Sequence, residues 1–309
     1  MMEMLEILRK QITEYFIGRE ETVNNVLICL LAGGHVLLED VPGVGKTTLA
    51  RTLAGSVDCS FGRIQFTPDT LPSDVVGVSV YNQKTQEFEY REGAIMRQIL
   101  LADEINRTSP KTQASLLEAM AEGSVTVDGI KHELPQPFMV IATQNPVEFL
   151  GTYPLPEAQM DRFMMRLSIG YPDAESEIRL AKNHMEGKTV DRITNVCTAE
   201  DLLAMKEAVT KVHVSDAVLG YIREIVQTTR DEEKFMLGAS PRAMLGLAAA
   251  SRARAYLSGR DYVKPDDVKA AAVPVLHHRL VLTSEARLHR EDTDLILNHL
   301  ISRIRVPRD

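Results

Sequence analysis

The chain contains no tryptophan, only three cysteines and no excess of basic residues. Its 35 lysines and arginines stand against 43 aspartates and glutamates, a net charge of −8. That balance argues against strong non-specific binding to nucleic acid, which needs a basic surface to neutralise phosphates; a local basic patch stays open. Cys29, Cys59 and Cys197 are odd in number, widely spaced and form no Cys-x-x-Cys pair, so they read as free, silent thiols of a reducing compartment. The first residues, Met1-Met2-Glu3-Met4, lack the basic region and apolar stretch of a secretory signal. The most apolar stretch, Val26 to Leu38, is interrupted by Gly33, Gly34 and His35 and falls short of the ~18 apolar residues of a membrane span. The expected location is the cytoplasm, with no membrane span. No internal repeat, zinc-ligand spacing or Ser-His-Asp arrangement occurs, and His277-His278, without a partner at ligand spacing, read as structural. What remains is 309 residues with 44% apolar and 25% charged content. That composition excludes disorder, collagen and coiled coil and suits about two globular domains.

The organisation changes near residue 172. Residues 1–172 carry 14 basic and 22 acidic residues, whereas 173–309 carry 21 of each. Before the change, helical periodicity alternates with short apolar runs, which predicts an α/β fold with a parallel sheet between helices. A helix over Glu20–Ala32 ends at Gly33-Gly34. Buried strands are expected from His35 to Leu38 and at Arg63–Thr67, Ile99–Asp103, Phe138–Thr143 and Phe163–Ser168. Ser109 as N-cap, Pro110 at the first position and Gly123 after the end bound another helix. Two hairpins interrupt the alternation: Val78–Tyr81 with Glu87–Tyr90, and Ser124–Val127 with Lys131–Leu134 around Asp128-Gly129. After Gly170-Tyr171-Pro172-Asp173 the pattern turns all-helical, with starts at Thr198, Ser215, Ser240-Pro241 and Pro265. The expected domains are therefore an α/β core over 1–172 and a smaller all-α domain over 173–309.

Chemistry gathers where these strands end. The run Leu38-Glu39-Asp40-Val41-Pro42-Gly43-Val44-Gly45-Lys46-Thr47-Thr48 reads as strand, glycine loop and helix start, a P-loop. Backbone N–H groups from Gly43 to Thr48 would wrap phosphates, Lys46 would neutralise the β/γ oxygens, and the Thr47 hydroxyl would ligate Mg²⁺. Asp40 stands where the full pattern has glycine, and its carboxylate is tolerable beside a triphosphate only if it points away. The strand Ile99-Leu100-Leu101-Ala102 ends in Asp103-Glu104, at the sheet edge where nucleotides bind. Asp103 would hold Mg²⁺ through water, and Glu104 would polarise the attacking water. Another buried strand ends in Gln144-Asn145-Pro146, where Asn145 could hydrogen-bond both that water and the γ-phosphate. Arg162, in Asp161-Arg162-Phe163, could stabilise transition-state charge in a neighbouring subunit. Arg242, in the first turn of a helix after Gly238-Ala239-Ser240-Pro241, could reach phosphate from the second domain.

These elements, in this order, resemble the AAA+ ATPases over nearly the whole chain. The resemblance implies a P-loop parallel-sheet core with two inserted hairpins and a helical lid. It casts Gly43 to Thr48 as Walker A, Asp103 and Glu104 as Walker B, Asn145 as sensor 1, Arg162 as arginine finger and Arg242 as sensor 2. It also places Ile17-Gly18-Arg19-Glu20 against the adenine. The two hairpins are similar to those of the helix-2-insert clade. Within it, His35 to Gly43, Asp103-Glu104-Ile105-Asn106-Arg107, Leu155-Pro156-Glu157-Ala158-Gln159 and Gly238 to Ala243 resemble the MoxR family. That resemblance implies ATP and Mg²⁺, a hexameric ring of this chain, and hydrolysis that drives the lid against the core. It further implies remodelling of a partner protein, one with a von Willebrand A domain, for metal or cofactor insertion. No Asp-x-Ser-x-Ser occurs, so the A-domain metal site is not on this chain. A helicase-like nucleic-acid motor is the alternative, set against by hairpin tips offering only Lys84, Lys131 and His132; a magnesium-chelatase-type motor subunit is a nearer one.

Overall fold

A computed structural model describes residues 1–41, 43–145, 151–186, 190 and 193–307. The helix α1 (Met2–Tyr15) and α2 (Glu20–Leu31) lead into strand β1 (Val36–Glu39) and helix α3 (Lys46–Ser56). Strand β2 (Phe61–Gln65) and helix α4 (Pro72–Val76) precede the hairpin β3 (Gly77–Asn82) and β4 (Glu87–Glu92). Next come β5 (Ile99–Asp103), helix α5 (Pro110–Glu122), the hairpin β6 (Ser124–Val127) and β7 (Ile130–Glu133), and β8 (Met139–Gln144). A short helix α6 (Glu157–Met160) leads to the last core strand, β9 (Met165–Leu167).

Five of these strands form one parallel sheet in the order β2-β5-β8-β1-β9. The inner strands β1, β5 and β8 are apolar up to their last one or two residues because both faces are covered, whereas the edge strands β2 and β9 carry Arg63, Gln65 and Arg166. Val36, Leu38, Ile99, Leu101, Met139, Ile141, Met165 and Leu167 face one hydrophobic cluster, with α1, α2 and α3. The intervening Leu37, Leu100, Ala102, Val140 and Ala142 face the other, with Leu116 and Leu117 of α5. The period-2 alternation of a strand thus splits each run between two cores. Ser109 accepts from the Thr112 N–H at 3.3 Å to start α5, and Gly123 ends it at φ 63°. At the second hairpin, Asp128 (φ 50°) and Gly129 (φ 80°) supply the two left-handed positions of a tight turn.

The remaining elements are α7 (Ala174–Met185), α8 (Ala199–Thr210), α9 (Asp216–Asp231), α10 (Pro241–Leu257), α11 (Pro265–Leu276), α12 (Ser284–Leu288) and α13 (Thr293–Arg303). They are not wholly helical, as the sequence pattern suggests: β10 (Phe235–Leu237) and β11 (Val281–Leu282) pair antiparallel. Val218, Ile222, Leu247, Val268, Leu276 and Leu297 from this region belong to the same cluster as α2 and β9, so the helices close over one face of the sheet. The strand ends also differ from expectation. Phe163 turns into the second cluster and pairing starts two residues later, where the Met164 and Met165 N–H groups reach the His35 carbonyl at 2.9 and 3.4 Å. Among the described residues no helix is long and apolar enough to cross a membrane.

Candidate active site

Parallel strands give a sheet two unlike edges, and the predicted residues divide between them. At the carboxyl edge, β1 runs into the glycine loop. Gly43 (φ 90°) and Gly45 (φ 93°) adopt left-handed conformations that side chains resist. No side chain caps α3, whose N-cap is Gly45, so its first-turn N–H groups converge on the loop with the positive end of the helix dipole behind them. Lys46 Nζ donates to the Asp40 carbonyl at 2.7 Å. Burial pulls its pKa down, opposed by the carboxylates of Asp40, Asp103 and Glu104.

Asp40 resolves the departure from the P-loop pattern. Its carboxylate accepts from Ser168 Oγ (2.9 Å), the Ile169 N–H (2.5 Å) and the Gly170 N–H (3.1 Å). It therefore points away from the loop and ties the end of β1 to the end of β9. The Phe16 ring also lies at the loop: a Cβ on Gly18 would meet its Cε1 at 2.5 Å, and one on Gly45 its Cε2 at 3.3 Å. Phe16 and the buried Ile17 thereby seat the Ile17-Gly18 segment beside the P-loop.

Gln65 at the end of β2 lies in register with Asp103 at the end of β5. Thr143 on the other side donates to Asp103 Oδ1 at 2.6 Å and accepts the Glu104 N–H at 2.9 Å. Arg63 pairs with Asp103 Oδ2 at 2.8 Å. Glu104 has φ 56° and ψ 50°, a conformation that costs a non-glycine residue about 1–2 kcal/mol. Its Oε2 accepts from Gln65 Nε2 and Arg107 Nη1, both at 2.8 Å. Asn145, buried, follows β8 on the same edge. The positions Thr47 and Thr48 lie in the first turn of α3. Pro42 and Pro146 lie outside the described residues. The donors near the loop are hard oxygens, of Thr47 and Asp103. Among the described residues no group of three His, Cys, Asp or Glu could hold a metal. This donor set fits Mg²⁺, which keeps waters and substrate phosphates rather than an all-protein cage.

The two arginines stand at the opposite edge. Arg162 and Arg242 line one cleft of about 350 Å³ together with Gly33, Gly34 and His35, which precede β1. Arg162 Nη1 donates to the Leu117 carbonyl at 2.7 Å; Arg242 Nη1 is 3.9 Å from Asp161 Oδ2. The cradle follows β1 and this cleft precedes it, so a four-residue strand of about 13 Å separates them. Within one chain neither guanidinium reaches the cradle, and Arg242 does not lean over it from the helical region. A larger cleft, about 630 Å³, lies between α9 and the segment after α13 and shares no residue with either edge.

Arg63, Gln65, Thr143, Phe16 and Arg107 are partners that the sequence reading does not single out. Arg63, Gln65 and Thr143 were visible as polar residues punctuating buried strands. Their pairing with Asp103 and Glu104 depends on strand order, which local pattern does not carry.

Residues 35–165 match the model of the ATPase family associated with various cellular activities (AAA), and residues 227–300 match the AAA lid domain. An uncharacterised Bacillus subtilis protein, YeaC, is 50% identical over 96% of this chain and 93% of its own length. The chaperone MoxR1 of Mycobacterium tuberculosis is 40% identical over 96% of this chain and 81% of its own, and the protein MoxR of Paracoccus denitrificans is 31% identical over 89% and 88%. A crystal structure of a candidate ATPase from Cytophaga hutchinsonii superposes with a TM-score of 0.93 at 37% identity, covering 99% of this chain and 96% of that one.

Proposed function

The chain belongs to the MoxR family of AAA+ ATPases, and from that membership we propose that it hydrolyses ATP between two copies of itself in a ring, a hexamer by family resemblance. One observation carries this reading: Arg162 and Arg242 share a cleft that precedes β1, while the phosphate cradle follows it. A copy holds a cradle without its arginines at one edge and arginines without a cradle at the other. Two copies set head to tail complete both, and such heterologous contacts form a ring where the rotation between copies closes.

In this reading Ile17 and Gly18 face the adenine, and Gly43, Val44, Gly45, Lys46, Thr47 and Thr48 hold the phosphates. Thr47 and Asp103 are the donors that would hold Mg²⁺, which neutralises charge on the phosphate oxygens when bound. Glu104, oriented by Thr143 and Gln65, takes a proton from the attacking water. The water oxygen bonds the γ-phosphorus as its bond to the ADP oxygen breaks. Asn145 positions that water. Arg162 and Arg242 of the next copy stabilise the charge that develops. The working parts are the α/β core over 1–172 and the helical lid over 173–309. The work is done in the cytoplasm on a partner protein, one with a von Willebrand A domain, during metal or cofactor insertion. The chaperone name of the Mycobacterium tuberculosis relative supports the partner-remodelling part.

Mixing tests the reading. Arg162→Ala should lose about 10³-fold or more in turnover, and Lys46→Ala should lose its own cradle. Mixed rings should regain activity, because each Arg162→Ala cradle can then face an intact arginine edge. No recovery at any ratio, with mixed rings seen by native mass spectrometry, would overturn it.

A further inference from the structure

The arginine edge is built around two residues that the function does not yet use. Arg279 lies in the 3₁₀ turn after α11 and is 6% exposed. Its Nη2 donates to the carbonyls of Asp161 (3.2 Å) and Phe163 (2.8 Å), the residues on either side of Arg162. Its Nη1 donates to the Val275 carbonyl at 2.8 Å. Its Nε lies 2.8 Å from Asp161 Oδ1 as an ion pair, although the N–H is not aimed at that oxygen. The neighbouring His278 donates from Nε2 to the same Phe163 carbonyl at 3.0 Å.

Asp161 reaches the other arginine. Its Oδ1 accepts from the Ser240 hydroxyl at 3.4 Å, and its Oδ2 is 3.9 Å from Arg242. Ser240 is the N-cap of α10 and accepts from the Ala243 N–H at 3.1 Å, so it sets where that helix, with Arg242 in its first turn, begins. One buried guanidinium and one carboxylate therefore join a segment before β9 to the end of α11 and the start of α10.

We propose that Arg279, acting with Asp161, is the positioning pair of the arginine edge: it fixes Arg162 and Arg242 at one spacing so that both enter a neighbouring copy's phosphate site together. Lysine cannot replace Arg279, because a single ammonium does not span both carbonyls and the carboxylate as the planar fork does. The pair also ties the Arg162 segment to the lid, so a lid movement carries both arginines together. This rests on the reading that these arginines act between copies.

The test uses Arg279→Lys and Asp161→Asn in the full chain. Each should lower kcat about 100-fold, the cost of a displaced transition-state group, with KM for ATP within about threefold, since the cradle is untouched. Mixing either variant with Lys46→Ala should restore activity, because Lys46→Ala copies present an intact arginine edge to the variant's intact cradle. A residue that merely supports its own chain gives no such recovery. Recovery for Arg162→Ala but not for Arg279→Lys or Asp161→Asn overturns this proposal and leaves the function standing. Failure for all of them, with mixed rings present, overturns the function beneath it. If Arg279→Lys loses its cooperative melt, Asp161→Asn, nearly identical in shape, decides by the same criteria.

Discussion

The two edges of the sheet use charge in opposite ways. At the carboxyl edge, the ion pairs run to partly exposed partners: Arg63 to Asp103 and Arg107 to Glu104, with the arginine side chains 47% and 43% exposed. Pairs of that kind hold little free energy, about 0–1 kcal/mol, and exchange partners cheaply. At the amino edge, His35, His278 and Arg279 are buried and spend their donors on backbone carbonyls. Losing a partner there strands a desolvated polar group. The difference teaches a division of labour. Under the proposed function, one edge is loose enough to rearrange around a substrate, and the other is stiff enough to present arginines to a neighbouring copy's substrate.

Removing the group the loose edge exists to hold should have the largest effect. Glu104→Gln preserves shape and can still hydrogen-bond, but it cannot accept a proton. Turnover should fall about 10²- to 10⁴-fold, while ATP binding by calorimetry stays within about threefold because the cradle remains. Equal phosphate release by variant and parent would show that this edge does not perform the chemistry and would end the comparison. The same variant, held in its ATP state, is also the bait that tests whether the proposed protein partner exists.

Asp40 lies on the carboxyl edge but is buried and fully partnered, as the charges of the amino edge are, and it gives the next largest effect. Asp40→Gly restores the glycine of the P-loop pattern, so sequence alone predicts an improvement. The structure predicts the reverse. The change strands the Ser168 hydroxyl and the Ile169 and Gly170 N–H groups, and unmet donors with a charged acceptor cost about 1–3 kcal/mol each before water relieves them. A net loss of about 3 kcal/mol in denaturant unfolding is expected, with ATP affinity little altered, since the carboxylate faces β9. A variant as stable as its parent would mean that Asp40 is not a structural tie.

These cases mark what could be read without coordinates. The glycine loop, the Ser109 cap, the Gly123 stop and the Asp128-Gly129 turn are local in sequence, and each follows from backbone conformations only certain residues adopt. The strands were legible as apolar runs, but their ends shifted where tertiary packing won, as with Phe163. Where the Asp40 side chain points was not legible, because its partners lie 128 to 130 residues away. Arg279 was hidden for the same reason: beside His277-His278 it looks like a surface cation, and only the return of α11 against β9 buries it. The edge that each arginine occupies likewise depends on strand direction and order, not on motif spacing.

The smallest effect tests the stiffness of the amino edge directly. His35 Nδ1 accepts from the Val140 N–H at 3.0 Å, so the proton sits on Nε2, which donates to the Met120 carbonyl at 3.2 Å. Adding a second proton would set two N–H groups against each other, and burial already pulls the pKa from its ordinary 6.5 down to about 4. The unfolded chain takes up that proton below about pH 6.5 and the folded one does not, so stability is lost as pH falls from about 6.5 towards 4. Between pH 7 and 4.5 the loss from this one residue should be about 2 kcal/mol. Burial shifts His278 in the same direction, and carboxylates add acid sensitivity of their own, so the informative quantity is a difference. His35→Gln should be less stable than the parent at pH 7, and the gap should narrow by about 2 kcal/mol at pH 4.5, because glutamine has no proton to gain. A gap independent of pH would show that the imidazole finds water or a new partner when protonated. The amino edge would then be as able to rearrange as the edge that holds Glu104.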